Sequence, residues 1–282
     1  MRILLGIIFF FCFIAIASTQ EYYLRLYGGI TYYHGDLSPQ ASSISFSDGH
    51  AAYGLYAGTK LSGLLTLGTR FLKGHLSASD ADSQNPDRRR RNLHFKTDIY
   101  ELGLISEFSF NHLFKNLNRY GINLKLVTGV NVYHYNPKAL FEGKWIALQP
   151  LMTEGEGLRQ YLDQKPYHLT RINFPLGMSV EFNLAYNFSF GIEITPRITF
   201  NDYLDDVSTV YITYEDIKEL KGELAANLAN RTGELTGSSP TIVPTGTPRG
   251  DPTNNDWYVF TGIYFSYIIG ATKPVKKEIP VD

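Results

Sequence analysis

Between residues 171 and 201 the chain sorts its side chains one by one onto two opposite faces, twice in succession. In the first run Ile172, Phe174, Leu176, Met178, Val180 and Phe182 share one face, against Arg171, Asn173, Pro175, Gly177, Ser179, Glu181 and Asn183 on the other. In the second, Phe188, Phe190, Ile192, Ile194, Pro196, Ile198 and Phe200 oppose Ser189, Gly191, Glu193, Thr195, Arg197, Thr199 and Asn201. A period of two is the period of a β-strand, whose successive Cβ atoms point to opposite faces, and no helix can satisfy it. Only residues 184–187 separate the runs, so they pair as antiparallel neighbours. Each strand then carries one wholly apolar face and one charged face.

The same criterion gives about eight strands over the chain, at 22–34, 51–60, 64–75, 93–110, 120–135, 168–183, 188–203 and 256–269. Their links alternate in length. Short ones fall at 61–63, 111–119 and 184–187, and long polar ones at 35–50, 76–92, 136–167 and 204–255. An up-and-down meander puts all short turns at one end and all long loops at the other, which is the asymmetry of outer-membrane barrels. The expected fold is therefore all-β: an eight-stranded antiparallel up-and-down transmembrane β-barrel with long extracellular loops and a small helix in the last loop. The rival is a soluble barrel of the lipocalin kind, with its apolar face turned inward. Small residues on the polar faces (Gly103, Gly129, Gly177, Ser179, Gly191) suit a narrow lumen. Tyr22, Tyr32, Phe95, Phe110, Tyr120, Phe182, Phe188, Phe200, Trp257 and Tyr267 lie near strand ends, where two interfacial girdles would stand. Both features favour the membrane version.

The N-terminus reads as a secretory signal peptide over residues 1–17. Arg2 is followed by an apolar stretch from Ile3 to Ile16, and Ala15-Ile16-Ala17 offers a cleavage site. That divides the chain into the signal, a barrel at 18–269 and a periplasmic tail at 270–282, and places it in the bacterial outer membrane. Cleavage removes Cys12, the single cysteine, and with it any disulfide or thiol chemistry. With 26 Lys and Arg against 27 Asp and Glu, the charge gives no reason to expect nucleic acid as a partner.

Arg25, Arg70, Lys125, Arg171 and Arg197 share the polar faces with Glu101, Glu107, Glu181 and Glu193. Eight strands leave a lumen just wide enough for side chains, so these charges are expected to pair as a plug rather than line a pore. Catalytic signatures are scarce: there is no nucleophile elbow, no zinc-protease helix motif and no phosphate loop. A rim site at His34 and Asp36 with Asp202, Asp205 and Asp206 is the enzymatic alternative; turn formation and backbone capping account for the same residues. Arg88, Arg89, Arg90 and Arg91 form a basic run in a long loop, able to contact lipid phosphate or a partner, as in a surface adhesin. Residues 214–230 place Ile217, Leu220, Leu224 and Leu228 on one helical stripe. Trp145 and Trp257 are expected to anchor long loops folded over the mouth. No cofactor, metal or small-molecule substrate is expected.

Several segments together resemble one family. They are Tyr33-His34-Gly35-Asp36-Leu37, Asn92-Leu93-His94-Phe95, Gly143-Lys144-Trp145, Thr153-Glu154-Gly155-Glu156-Gly157, Lys165-Pro166-Tyr167, Asp202-Tyr203-Leu204-Asp205-Asp206-Val207-Ser208-Thr209, Arg249-Gly250-Asp251-Pro252 and Asn255-Asp256-Trp257-Tyr258. They are similar to PorG, a family of small outer-membrane barrels associated with the type IX secretion system of the Bacteroidota. The resemblance implies a non-enzymatic barrel that ties a periplasmic ring, built of a PorK-like lipoprotein and a PorN-like protein, to the outer membrane. It supplies no catalytic residues. The segment after the last strand is where this chain departs from the family pattern.

Overall fold

A computed structural model describes residues 21–39, 49–111, 113, 120–238, 240–241 and 243–270; the expected signal peptide and nearly all of the expected tail lie outside these. The barrel wall is made by β1 (Tyr22–His34), β2 (His50–Lys60), β3 (Leu65–Ser79), β4 (His94–Ser109), β5 (Ile122–His134), β8 (Thr170–Ala185), β9 (Phe188–Thr199) and β10 (Trp257–Ile269). Each pairs antiparallel with its neighbours in sequence. Pairing of β1 with β10, from Tyr22 opposite Ile269 to His34 opposite Trp257, closes the sheet. The fold is thus a closed eight-stranded up-and-down barrel with no free edge.

Two further strands belong to the third long loop. β6 (Lys138–Phe141) and β7 (Lys144–Ala147) form a hairpin that attaches to β4 through Lys96 opposite Lys138. Glu142 and Gly143, both at positive φ (47° and 78°), make its two-residue turn. Four-residue strands are too short to show a period, so the sequence pattern alone places this segment within the long loop at 136–167. Elsewhere strand ends shift by a few residues, most at β3, which runs on to Ser79, and at β9, which stops at Thr199.

Which face is wet settles the rival folds. The large side chains on the outer wall are apolar and exposed, for example Leu26 at 63%, Val132 at 51% and Phe265 at 55%, whereas Arg25, Arg70 and Arg197 inside are at 1% or less. Water would not tolerate so continuous an apolar belt, and a bilayer requires it. The soluble alternative is excluded on this ground. The wall strands have 11 to 16 residues, against roughly 9–11 needed to cross hydrocarbon. The surplus rises beyond the bilayer at the long-loop end and forms walls for the loops to pack into.

The last long loop carries two helices, α2 (Tyr214–Lys221) and α3 (Glu223–Ala229), rather than one; a short helix α1 (Pro86–Arg91) precedes them in the second loop. Gly222 at φ 92° breaks the run. The break rotates the expected stripe: Ile217 and Leu228 are buried, while Leu220 and Leu224 are exposed. Ala225, Ala226 and Ala229 complete the buried face, packing with Leu158 and Ile212.

Candidate functional site

Inside the barrel, inward strand positions carry charge in balanced sets. Nearest the short turns, Arg25 of β1 meets Glu107 of β4 through two N–H donors, one of them at 2.9 Å to Oε2, and lies 3.5 Å from Glu181 of β8. Lys125 of β5 bridges the same two carboxylates, at 2.8 Å from Glu181 and 3.4 Å from Glu107. The Arg25 guanidinium sits over the rings of Tyr56 and Tyr264, 4.8 and 4.7 Å from their centroids. Further up, Arg70 of β3 pairs with Glu193 of β9 at 2.6 Å. Above it, Arg197 of β9 forks onto Glu101 of β4, with both contacts at 3.1 Å. Glu101 also accepts from Tyr258 Oη at 2.5 Å and Asn173 Nδ2 at 3.2 Å. Four cations thus face four carboxylates, so the lumen is neutral and filled.

Arg171 does not join this network. It sits at the end of β8 above the ion pairs, is partly exposed, and donates to the Phe200 carbonyl at 3.0 Å. Aromatic residues are also placed differently from the expected girdles: Tyr23, Tyr27, Tyr56, Tyr133, Tyr258 and Tyr264 are buried on inward positions, and Phe95 is 2% exposed in the core rather than at an interface. Small inward residues make room for these rings. A Cβ on Gly191 would run into the Tyr264 ring. Of the girdle candidates, Tyr120, Phe188, Phe200 and Tyr267 are exposed.

The long loops close one end. Leu37, Leu93, Tyr167, Leu204 and Val207 from all four loops pack onto lumen residues Leu76, Ile99, Tyr133 and Tyr258 in one buried cluster. A ladder of stacked tyrosines, Tyr133, Tyr135, Tyr167 and Tyr203, leads from the lumen into the third and fourth loops, with centroid spacings of 5.7, 6.3 and 4.7 Å. Glu154, fully buried, gathers the fourth loop by accepting from the Ser208 and Thr209 amides, at 2.9 and 2.8 Å, and from Arg249 at 2.8 Å. Asp206 accepts from Thr153 and Tyr167, and its carbonyl takes Arg249 Nη1 at 2.6 Å. Tyr33 Oη lies 2.6 Å from Asp205 and 3.0 Å from Asp256. Burial, then neighbouring carboxylates, push both of these carboxyls well above the ordinary range. One hydroxyl cannot donate to two anions at once, so the geometry fits a protonated carboxyl on at least one of the two, as their raised pKa values favour.

Most segments that carry the family resemblance therefore build the cap, which gives the long loops a structural reason for their motifs. The enzymatic rim site is not assembled. The His34 ring lies against Trp257, 4.6 Å between centroids and tilted by 43°, Asp36 accepts from the Asp251 amide, and no hydrogen bond joins His34 to the carboxylates among the described residues. Among those residues no three His, Cys, Asp or Glu side chains converge on a metal position.

The arginine run forms α1, with its positive charges at the C-terminal end where the helix dipole favours them. Its members are mostly engaged: Arg88 donates to the Ser38 carbonyl, Arg89 to that of Ser83, and Arg91 forks onto buried Asp80 at 2.8 and 2.7 Å. Arg91 also donates to the Arg249 carbonyl, tying the second loop to the fourth. Arg90, exposed like Arg89, has only Asp87 beside it. Neither tryptophan anchors the cap. Trp145 is 42% exposed on β7 under the Lys96 ammonium, 3.6 Å from it, and Trp257 opens β10 on the outer face. Glu154 and Arg249, which hold the loops together, enter the sequence reading only through the family resemblance and with no role assigned; a Glu beside a glycine-rich stretch and a lone Arg look like ordinary loop residues.

At the short-turn end the lumen opens into a polar cleft of about 440 Å³, lined by Glu21, Lys60, Asn111, Asn123 and Asn183 and reaching Tyr23 and Glu181. The barrel is thus sealed by loops at one end and plugged by ion pairs below the cleft at the other.

A family model described as a domain of unknown function, DUF6089, matches residues 2–231. No curated protein sequence matches the chain. Similar solved structures include Neisserial surface protein A, at 8% identity with a TM-score of 0.42, covering 87% of this chain and 96% of that one. The attachment invasion locus protein Ail of Yersinia pestis, solved with a heparin analogue, has 8% identity and a TM-score of 0.41, covering 89% and 99%. A major outer membrane protein from Thermus thermophilus has 10% identity, a TM-score of 0.41 and coverage of 89% and 99%.

Proposed function

We propose, for a chain that belongs to the DUF6089 family, a non-enzymatic scaffold role in the bacterial outer membrane, as the barrel that anchors a periplasmic ring of the type IX secretion system. The observation that carries this reading is the closed lumen: balanced ion pairs fill it and four loops seal its mouth. A barrel without a path through it acts through its surfaces, which here are the apolar wall, the cap and the short-turn end. With short turns periplasmic, as in outer-membrane barrels generally, the polar cleft and the turns around it face the ring, and the cap faces outward. The resemblance to PorG supports a PorK-like lipoprotein and a PorN-like ring protein as partners. The C-terminal tail, following β10 at that same end, is a natural second contact.

A mild-detergent pull-down of the tagged chain from its native membrane tests the proposal. Recovery of the lipoprotein and ring protein in fixed ratio supports it, and isolation of the barrel alone contradicts it. Deleting residues 271–282 while keeping the barrel asks whether the tail contributes to that contact.

A further inference from the structure

The outer wall carries a polar notch on one side only. At outward positions of the eight wall strands the charged residues are Lys73 of β3 and Lys96 and Asp98 of β4; Lys138 of β6 lies directly opposite Lys96. The notch, about 240 Å³, opens where β4 leaves β5, after Tyr100 pairs with His134, and takes β6 as its new partner. Its sides are Lys96, Lys138, His75, His134 and Asp98. Asp98 is held by His75 Nδ1 at 3.2 Å, and Lys73 stands over the faces of Tyr100 and Tyr53 at 5.2 and 5.9 Å.

Three features of this arrangement point to a ligand. Like charges directly opposite in an antiparallel pair repel, and Lys96 and Lys138 are so placed with no carboxylate bonded to either among the described residues. The notch lies above the belt: Leu102, two residues along β4 from Tyr100 at its lower edge, is 56% exposed, and the neighbouring Phe71 and Val132 are at 39% and 51%. Lys73 lies two residues along β3 from Phe71 and Lys96 six along β4 from Leu102, about 7 and 20 Å of tilted strand, so the lysines rise through the head-group region while the wall below meets acyl chains. The rest of the circumference at this height carries no outward charge among the described wall strands, so the patch is a local device and not a general girdle. An anion supplied by the bilayer satisfies all three conditions.

We propose that this notch, with Lys73 beside it, binds the phosphorylated head group of an outer-leaflet glycolipid. The patch spans β3 to β6, wider than one phosphate, which suits a sugar bearing two. Lys96 and Lys138 clamp one phosphate, Lys73 reaches the other, and the acyl chains lie along Leu102, Phe71 and Val132. The choice of outer leaflet rests on the orientation given above, with the long loops outward.

The test is lipid retention by the full chain, purified in mild detergent and offered diphosphorylated lipid A, dephosphorylated lipid A or phosphatidylglycerol, and read by native mass spectrometry. A lysine near an anionic lipid surface contributes about fivefold in affinity, so Lys96→Gln with Lys138→Gln should weaken lipid A retention roughly twenty-five-fold. Arg90→Gln, at a solvent-exposed position of α1, should leave retention unchanged. A folded, heat-modifiable band for each variant establishes that the barrel is intact. Equal retention by the double variant, or retention of dephosphorylated lipid A at the same level, overturns the site; equal retention of phosphatidylglycerol overturns its assignment to a glycolipid. Detergent removes orientation and ring partners from the measurement, so its failure is distinct from failure of the secretion reading.

Discussion

Removing one half of the Arg197–Glu101 pair should cost far more than removing both. Arg197 is fully buried and Glu101 is 1% exposed, and the two meet through parallel contacts of 3.1 Å across the lumen, between β9 and β4. Glu101→Leu leaves the guanidinium with Thr195, its carbonyl and hydroxyl both at 2.5 Å, and the Phe260 ring at 5.6 Å in place of a carboxylate. Arg197→Met leaves the carboxylate with Tyr258 and Asn173. Breaking a buried pair from one side costs about 3–5 kcal/mol, whereas replacing both partners by apolar side chains of similar volume is often neutral. Since Glu101 keeps two donors, Arg197→Met belongs at the lower end, about 3 kcal/mol, and Glu101→Leu nearer 5. The double variant should recover most of the loss, giving a coupling energy of roughly 3 kcal/mol or more. The assay is urea unfolding in lipid vesicles, followed by tryptophan fluorescence, since Trp257 adjoins Tyr258 at the top of the same lumen. Additive single effects, or single losses below about 1 kcal/mol, would show water reaching the pair and refute the filled-lumen argument.

The cap titrates in the neutral range. Burial, followed by the Asp206 and Glu154 carboxylates, raises Glu156 to about 8; burial raises Asp202 to about 7 and Asp206 to about 6. Folded carboxyls with raised pKa hold protons that the unfolded loops release, so the contribution of these three groups to the cap is fully present below about pH 4 and is lost as pH climbs through 6 to 8. Amide exchange over residues 202–209 should therefore speed up between pH 5 and 8 beyond its intrinsic rate, and a flat corrected profile would contradict the assignment. Arg249→Met takes the cation from Glu154 and from the Asp206 carbonyl, and should open the fourth loop at a cost of about 3–5 kcal/mol while the barrel keeps its heat-modifiable mobility. Limited proteolysis between residues 204 and 256 reads that opening. Gly191→Leu forces a side chain into the Tyr264 ring, and slower folding into vesicles, with loss of the compact gel band, is the expected result.

The wall was legible because a strand with lipid on one side and lumen on the other has no freedom in its pattern. β8 and β9 read almost residue by residue, and β1 matched from Tyr22 to His34. What escaped was whatever lacks a period. The β6–β7 hairpin is signalled only by Glu142-Gly143 between short apolar runs, and the two-helix break only by Gly222. Inward tyrosines were hidden by their chemistry: a ring with a hydroxyl suits a membrane interface and a filled polar lumen equally, so Tyr27 and Tyr264 look no different in sequence from Tyr267. Arg171 shares the inward face with Arg197 but sits nearer the strand end, and depth along a strand, unlike its face, depends on register with neighbours far away in sequence. The cap is non-local throughout, as Glu154 with Arg249 and Asp36 with Asp251 show. Such contacts have no local signature.

The average composition concealed all this. A mean hydropathy of −0.15 results from apolar and charged residues alternating along the same strands. The inversion of burial, with arginines inside and leucines outside, is what the average cannot show.

Conductance of the purified full-length barrel in a planar bilayer tests the central claim most directly. A lumen filled by paired charges and sealed by four loops predicts no current above that of the bare membrane at either polarity. Discrete, reproducible, ohmic steps from the same preparation would contradict it.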